Sequence, residues 1–175
     1  SFLVRTIIIQ EMSGNLEVRK MKPYKHKVQY YGTDQMAVVH HSNYIRWFEE
    51  ARVELLERIG MSYDRLEREG LISPVLGVKA QYKSMVRFGD SVEITPHIEV
   101  YNGIKLTISY LVADAATKDI RCLGQTRHCF LNAEGKPVSL KRSYPHYHEL
   151  LLKLQQTQKA LPEYSESVVE SQDDE

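Results

Sequence analysis

Apolar residues recur at steps of three and four along one stretch of the chain: Tyr44, Trp47, Phe48, Ala51, Leu55, Leu56 and Ile59. That spacing lays one wide apolar stripe on an α-helix. Arg46, Glu50, Glu54, Glu57 and Arg58 fall mostly on the opposite side, where Arg46 with Glu50 and Glu54 with Arg58 are placed to pair one turn apart. Ser42 and Asn43, both N-cap types, stand just before the stripe, and Gly60 follows it as a C′ residue. The pattern predicts a helix roughly 25 Å long.

Around this helix the chain changes period. Residues 24–31 carry Val28 and several tyrosines and predict a first strand. Ser62 and Gly70 bracket a short second helix over 63–69. From there the pattern is extended. Residues 71–84 form one stretch, with Pro74 marking its entry. Residues 91–101 alternate at Val92, Ile94, Ile98 and Val100, with Pro96 shifting the register. Asn102 and Gly103 signal a hairpin into 105–113, which alternates at Leu106, Ile108, Tyr110 and Val112. A last strand covers 120–131, and leucines at 150, 151 and 154 predict a helix over 148–154. Strands of about ten residues span ~33 Å, close to the helix length. An antiparallel sheet curved over one apolar helix is the economical way to bury both, an α+β arrangement. One helix cannot cover such a sheet, and an edge strand stays open; pairing edges in a homodimer, or in a homotetramer built from dimers, solves both problems.

Length and composition narrow the picture. The 175 residues suit one domain over 23–156, preceded by an extension (1–22) and followed by a polar tail (157–175) expected to be disordered. Lys plus Arg equals Asp plus Glu at 23 each, which argues against a nucleic-acid surface. No apolar run reaches the ~18 residues of a membrane span, and no signal peptide is read, so a cytoplasmic location is expected. Cys122 and Cys129 lie seven apart in one predicted strand, point to opposite faces and fit no zinc spacing. They read as buried free thiols.

The chemistry concentrates before the long helix. Asp34 precedes His40 and His41, and Tyr30 precedes Asp34. Unpaired N–H groups at a helix start attract negative charge and suit a site that binds or forms an anion. His146 and His148, two apart, do not share a helix face, and no metal site is expected. No Gly-x-Ser-x-Gly elbow and no P-loop occur.

The run Tyr30, Gly32-Thr33-Asp34, Met36-Ala37-Val38-Val39, His40-His41, Ser42-Asn43-Tyr44 resembles the opening of the hotdog-fold acyl-CoA thioesterases of the 4-hydroxybenzoyl-CoA thioesterase type. The later run Phe88-Gly89-Asp90 before a strand resembles the family's Gly-Asp turn, and the likeness extends over residues 24–151. Met36-Ala37 stands where relatives often have Gly-Gly, Gly32 where many have Asp, and Met85 near a usual proline. The resemblance implies a hotdog fold and hydrolysis of an acyl-CoA, or an acyl-carrier-protein thioester, without a cofactor. It implies Asp34 as the catalytic carboxylate, nucleophile or general base, His41 as the backbone donor to the oxyanion, and Tyr30 as a residue of the same site. Tyr44 and Trp47 are candidates for the acyl pocket, and Lys79, Lys83 and Arg87 for the coenzyme A phosphates. Two other classes share the fold: a dehydratase or hydratase, which uses a catalytic His with an acid, and a non-catalytic acyl-CoA-binding domain.

Overall fold

In a computed structural model of the chain, which describes residues 22–34 and 36–158, the apolar stripe becomes helix α1, Ser42–Arg58. All seven stripe residues are buried. Gly60 takes a positive φ (87°) and ends the helix, with Met61 N–H donating to Leu56 O at 2.8 Å. The helix lies across a five-stranded sheet of β1 (Tyr24–Lys27), β2 (Val75–Tyr82), β3 (Ser91–Tyr101), β4 (Lys105–Asp114) and β5 (Ile120–Cys129). The order is β1-β3-β4-β5-β2 and every pairing is antiparallel. This is the expected α+β arrangement. Short helix α2 (Tyr63–Arg68) follows α1, and α3 (Leu140–Ser143) and α4 (Pro145–Thr157) close the described chain.

One contact sets how closely helix and sheet approach. Phe48 stacks on Tyr110 of β4 with ring centroids 4.7 Å apart and planes 18° apart. Tyr110 pairs in register with Gly124 of β5, and a Cβ at Gly124 would run into the Phe48 ring. The glycine is the space the ring occupies. Around it, Val92, Ile94 and Ile98 of β3 and Leu106, Ile108 and Val112 of β4 are buried, as their alternation predicts.

Val100 breaks the pattern. A register shift between Ile98 and Val100 turns Val100 outward and brings Tyr101 in. The first strand also stops at Lys27, because Val28 N–H turns away to Asp90 O (2.9 Å) and a 3-10 turn, Tyr30–Gly32, follows. The stretch 71–84 pairs as a strand only over Val75–Tyr82, with Ile72 bridging Leu131 separately. The last helix is longer than its leucines suggest. Pro145 begins it, and just past its end the Gln158 amide accepts Ile98 N–H (2.8 Å) and donates to Ile98 O (2.6 Å). Because β1 covers only Ser91–Ile94 of β3, these bonds serve an edge that would otherwise lack a partner there. The predicted extension and tail, apart from Lys22, Thr157 and Gln158, lie outside the described residues.

Of the two ion pairs foreseen on α1, Glu54 with Arg58 forms. Glu50 instead accepts the Tyr24 hydroxyl (2.6 Å) and faces His26 (3.4 Å), tying α1 to β1. Cys122 is buried, whereas Cys129 on the other face is half-buried, and both are free. Among the described residues, no helix is long and apolar enough to cross a membrane.

The core also holds polar groups that the pattern does not reveal. Arg52 of α1 is 5% exposed and donates from Nε to the Tyr63 hydroxyl at 3.0 Å. Thr126 Oγ1 joins the Tyr110 hydroxyl and His128 Nε2, each at 2.8 Å. His128 Nδ1 is buried with no hydrogen-bond partner among the described residues. Burial, and then the Arg52 charge, push the His128 imidazole down to about 4.

This depression has a defined sign. Between the free value of about 6.5 and the folded value, the unfolded chain binds a proton that the fold refuses. The contribution to stability is therefore complete above about pH 6.5 and is lost as pH falls toward 4, at about 1.4 kcal/mol per pH unit. Denaturant titrations of the wild type and His128→Gln at pH 6.5 and 5 check it: the wild type should lose about 1.5 kcal/mol more than the variant over that interval. Parallel losses would place the histidine outside the acid response.

Candidate active site

The chain between the 3-10 turn and α1 folds back on itself. Thr33 and Val39 form an antiparallel bridge, Asp34 N–H donates to Val38 O (2.8 Å), and His40 N–H donates to Gly32 O (3.1 Å). The outgoing limb is pinned in turn: Val39 N–H reaches Val86 O (2.8 Å) and Phe88 N–H reaches Ala37 O (3.1 Å). Asp34 is thus brought to the level of the helix start, seven residues further on.

The Asp34 carboxylate also shapes this loop. Its Oδ1 accepts Met36 N–H (2.8 Å) and Val38 N–H (3.2 Å). Ala37 takes the left-handed conformation at φ 58°, which a glycine adopts without strain and an alanine only at a cost. The departure from Gly-Gly therefore leaves the turn in place, held by bonds to Asp34.

At the helix start, neither N-cap type acts as one. His41 already has helical angles (φ −54°, ψ −30°) and its own side chain makes no cap bond; the Ser42 N–H donates instead to His40 Nδ1 (3.3 Å). Asn43 points backward, and its amide donates to Gly32 O (2.9 Å) and His40 O (3.3 Å), locking the loop to α1. Ser42 Oγ bonds His40 Nδ1 (2.8 Å). Asn43 N–H goes to His40 O and Tyr44 N–H to His41 O, while the His41 N–H donates to no acceptor among the described residues. It is a donor at the positive end of a 17-residue helix.

An open pocket of about 440 Å³ adjoins these groups. Asp34, Val38, Val39, His40, His41 and Tyr44 line it together with Tyr82, Lys83, Ser84 and Met85. Tyr44 packs edge-on to Tyr82 (centroids 5.0 Å) and against Trp47 (4.7 Å). Burial pushes the Tyr44 phenol up to about 12, so it stays neutral. The Tyr82 hydroxyl donates to His41 O (3.4 Å).

The structure thus brings together Asp34, His41, Tyr44 and Lys83. Trp47 is buried behind Tyr44 and also touches His26 (4.9 Å). Tyr30 is 75% exposed and packs on Phe88, outside the lining. Lys79 pairs with Gln125, whose amide bonds Glu99 on the sheet face away from α1. Arg87 bridges Val38 through its backbone but does not line the pocket. Nothing in the sequence marks Ser84 or Met85 as pocket residues; they arrive through the path of the chain after β2. Among the described residues, no three His, Cys, Asp or Glu side chains gather in a way that could hold a metal ion.

This geometry meets its relatives here. The model of the thioesterase-like superfamily matches residues 28–163. The chain belongs to the thioesterase-like superfamily. The Bacillus subtilis protein named "Putative acyl-CoA thioesterase YneP" is 31% identical over 123 residues, which cover 70% of this chain and 88% of its own. The acyl-CoA thioester hydrolase YbgC of Escherichia coli is 29% identical over 89 residues, 51% of this chain and 66% of its own. The solved DHNA-CoA thioesterase from Staphylococcus aureus superposes with a TM-score of 0.73 at 29% identity, over 77% of this chain and 91% of that one. The resemblance read from the Asp34 run is borne out: the fold is the hotdog fold, and the protein is a thioester hydrolase.

In this thioesterase the left-handed Ala37 is a testable constraint. Ala37→Gly should keep the turn. Ala37→Val puts a β-branched side chain at positive φ and should cost on the order of 1–2 kcal/mol of stability. Melting temperatures of both variants check this, and a Val variant as stable as the wild type would show that the turn does not need this conformation.

Proposed function

We propose that this thioesterase hydrolyses acyl-CoA to a carboxylic acid and free coenzyme A, with Asp34 as the reacting carboxylate and the start of α1 as the oxyanion site. The observation that carries this is the placement on the lining of one pocket of Asp34 and of His41, whose N–H has no acceptor among the described residues. The thioester carbonyl would lie between them. Asp34 either takes a proton from water, whose oxygen attacks the carbonyl carbon, or attacks that carbon itself to form an anhydride that water then opens. In both routes the carbonyl oxygen becomes an anion facing the His41 N–H, the C–S bond breaks, and the sulfur leaves as coenzyme A thiolate, which picks up a proton. Tyr44 offers an apolar wall to the acyl group, and Lys83 a cation at the rim for the phosphates. The names of the relatives support acyl-CoA as the thioester. The hydratase reading is disfavoured because α1 contains no histidine.

The same reading includes a homodimer. β2 is an edge strand, and Val75, Leu76, Val78 and Tyr82 along it are exposed apolar residues. An unpaired edge of this composition is a template for another strand, and a second copy paired there would close the pocket beside Tyr82. Light scattering at micromolar concentration should give twice the chain mass or a multiple of it. A stable monomer that hydrolyses acyl-CoA would contradict this.

Asp34→Asn tests the chemistry. Asparagine keeps an oxygen for Met36 N–H and Val38 N–H, so the loop should survive, but it carries no charge. Acyl-CoA affinity should stay near wild type while kcat falls at least ~10²-fold, roughly 2.7 kcal/mol of barrier. Near-normal hydrolysis by the folded variant would remove Asp34 from the mechanism.

A further inference from the structure

One wall of the pocket is made of chain that belongs to no strand. After β2 ends at Tyr82, Lys83, Ser84 and Met85 line the pocket before Val86 re-enters the core. Arg121, near the start of β5, holds this segment by both its backbone and its side chain. Arg121 O accepts Lys83 N–H (2.9 Å) and Ser84 N–H (3.3 Å). Its Nη1 donates to Ser84 Oγ (3.2 Å) and to Met85 O (3.3 Å). Ser84 Oγ in turn donates to Ile120 O (3.2 Å).

The other end of the guanidinium is fixed. Nη2 donates to Asp114 Oδ2 at 3.1 Å, and both side chains are largely shielded, at 20% and 13% exposure. Asp114 is itself immobilised in the β4–β5 turn: its Oδ1 accepts Ala116 N–H and Thr117 N–H, each at 2.9 Å, and its own N–H donates to Asp119 O (2.9 Å). The planar fork of Arg121 thus joins the hydrogen-bonded β4–β5 turn to the pocket wall at Ser84 and Met85.

We propose that Arg121, braced by Asp114, is a positioning residue that sets the substrate-binding wall formed by Ser84 and Met85. Arg121 does not line the pocket, so its action is through those residues. The inference rests on the acyl-CoA reading of the pocket. Because this wall contributes no reacting group to the proposed chemistry, loosening it should weaken substrate binding more than the chemical step.

The test is steady-state hydrolysis of one acyl-CoA by the wild type, Arg121→Gln, Arg121→Lys and Ser84→Ala, with hydrogen exchange at the Lys83 and Ser84 amides. Arg121→Gln should raise KM about tenfold and leave kcat within about twofold. Arg121→Lys, which restores charge without the fork, should fall between. Ser84→Ala should raise KM by a smaller factor, and it carries the test if Arg121→Gln does not fold. Exchange at both amides should quicken in the Arg121 variants. An unchanged KM in every folded variant, or a loss confined to kcat, would overturn the positioning role while leaving the proposed function intact. A wild type that releases no thiol from any acyl-CoA would instead overturn the proposed function and this inference with it.

Discussion

The close seat of α1 on the sheet at Phe48, Tyr110 and Gly124 is the constraint on which the rest of the structure depends. A bare glycine lets an aromatic ring lie against the strands, so the helix approaches closely there. From that anchor about one turn leads back to Tyr44, which packs on Tyr82 of the edge strand. One further residue range, 41–43, brings the helix start to the pocket. The position of the His41 N–H is in this sense a consequence of core packing. A helix held further from the sheet would carry its positive end away from the loop that Asn43 ties to it.

The loop and the helix start solve each other's polar problems. Asp34 supplies acceptors to its own turn, Asn43 satisfies two carbonyls of the loop, and the 37–39 limb is bonded to residues 86–88. Among the described backbone N–H groups of residues 33–44, the one without an acceptor among the described residues is that of His41. A site that must stabilise a transient anion needs such a donor fixed in advance, since a donor that must first reorganise contributes far less. The chemistry proposed here therefore needs little beyond an acid, a held carbonyl and a shaped pocket.

Much of the fold was legible in the sequence because its elements obey simple periods. The seven stripe residues of α1 are buried, and the alternating positions of β3 and β4 point inward until the register shift at Val100. That shift, the early end of β1 and the role of Gln158 depend on partners distant in sequence, which a local pattern does not contain. Arg52 and His128 went unnoticed for the same reason: a charged residue is presumed solvated until the neighbours that enclose it are known. At the site, Asp34, His41, Tyr44 and Lys83 meet at the pocket, while Lys79, which shares the spacing of a basic cluster with Lys83, lies on the other face of the sheet. Alternation alone would put these two lysines, four apart, on one face; they separate because β2 ends at Tyr82 and the chain leaves the strand before Lys83. Ser42 and Asn43 were rightly placed at the helix start, but their bonds run back to the loop and not to the first helical turn.

The central claim is that a substrate carbonyl is held between Asp34 and the amide of His41. The most direct measurement is a crystal structure with an inert acyl-CoA analogue whose thioester sulfur is replaced by a methylene group. The account predicts the analogue's carbonyl oxygen at ~3 Å from the His41 nitrogen, with the Asp34 carboxylate facing the carbonyl carbon. A carbonyl bound away from the start of α1, or one turned so that Asp34 cannot reach it directly or through one water, would contradict it.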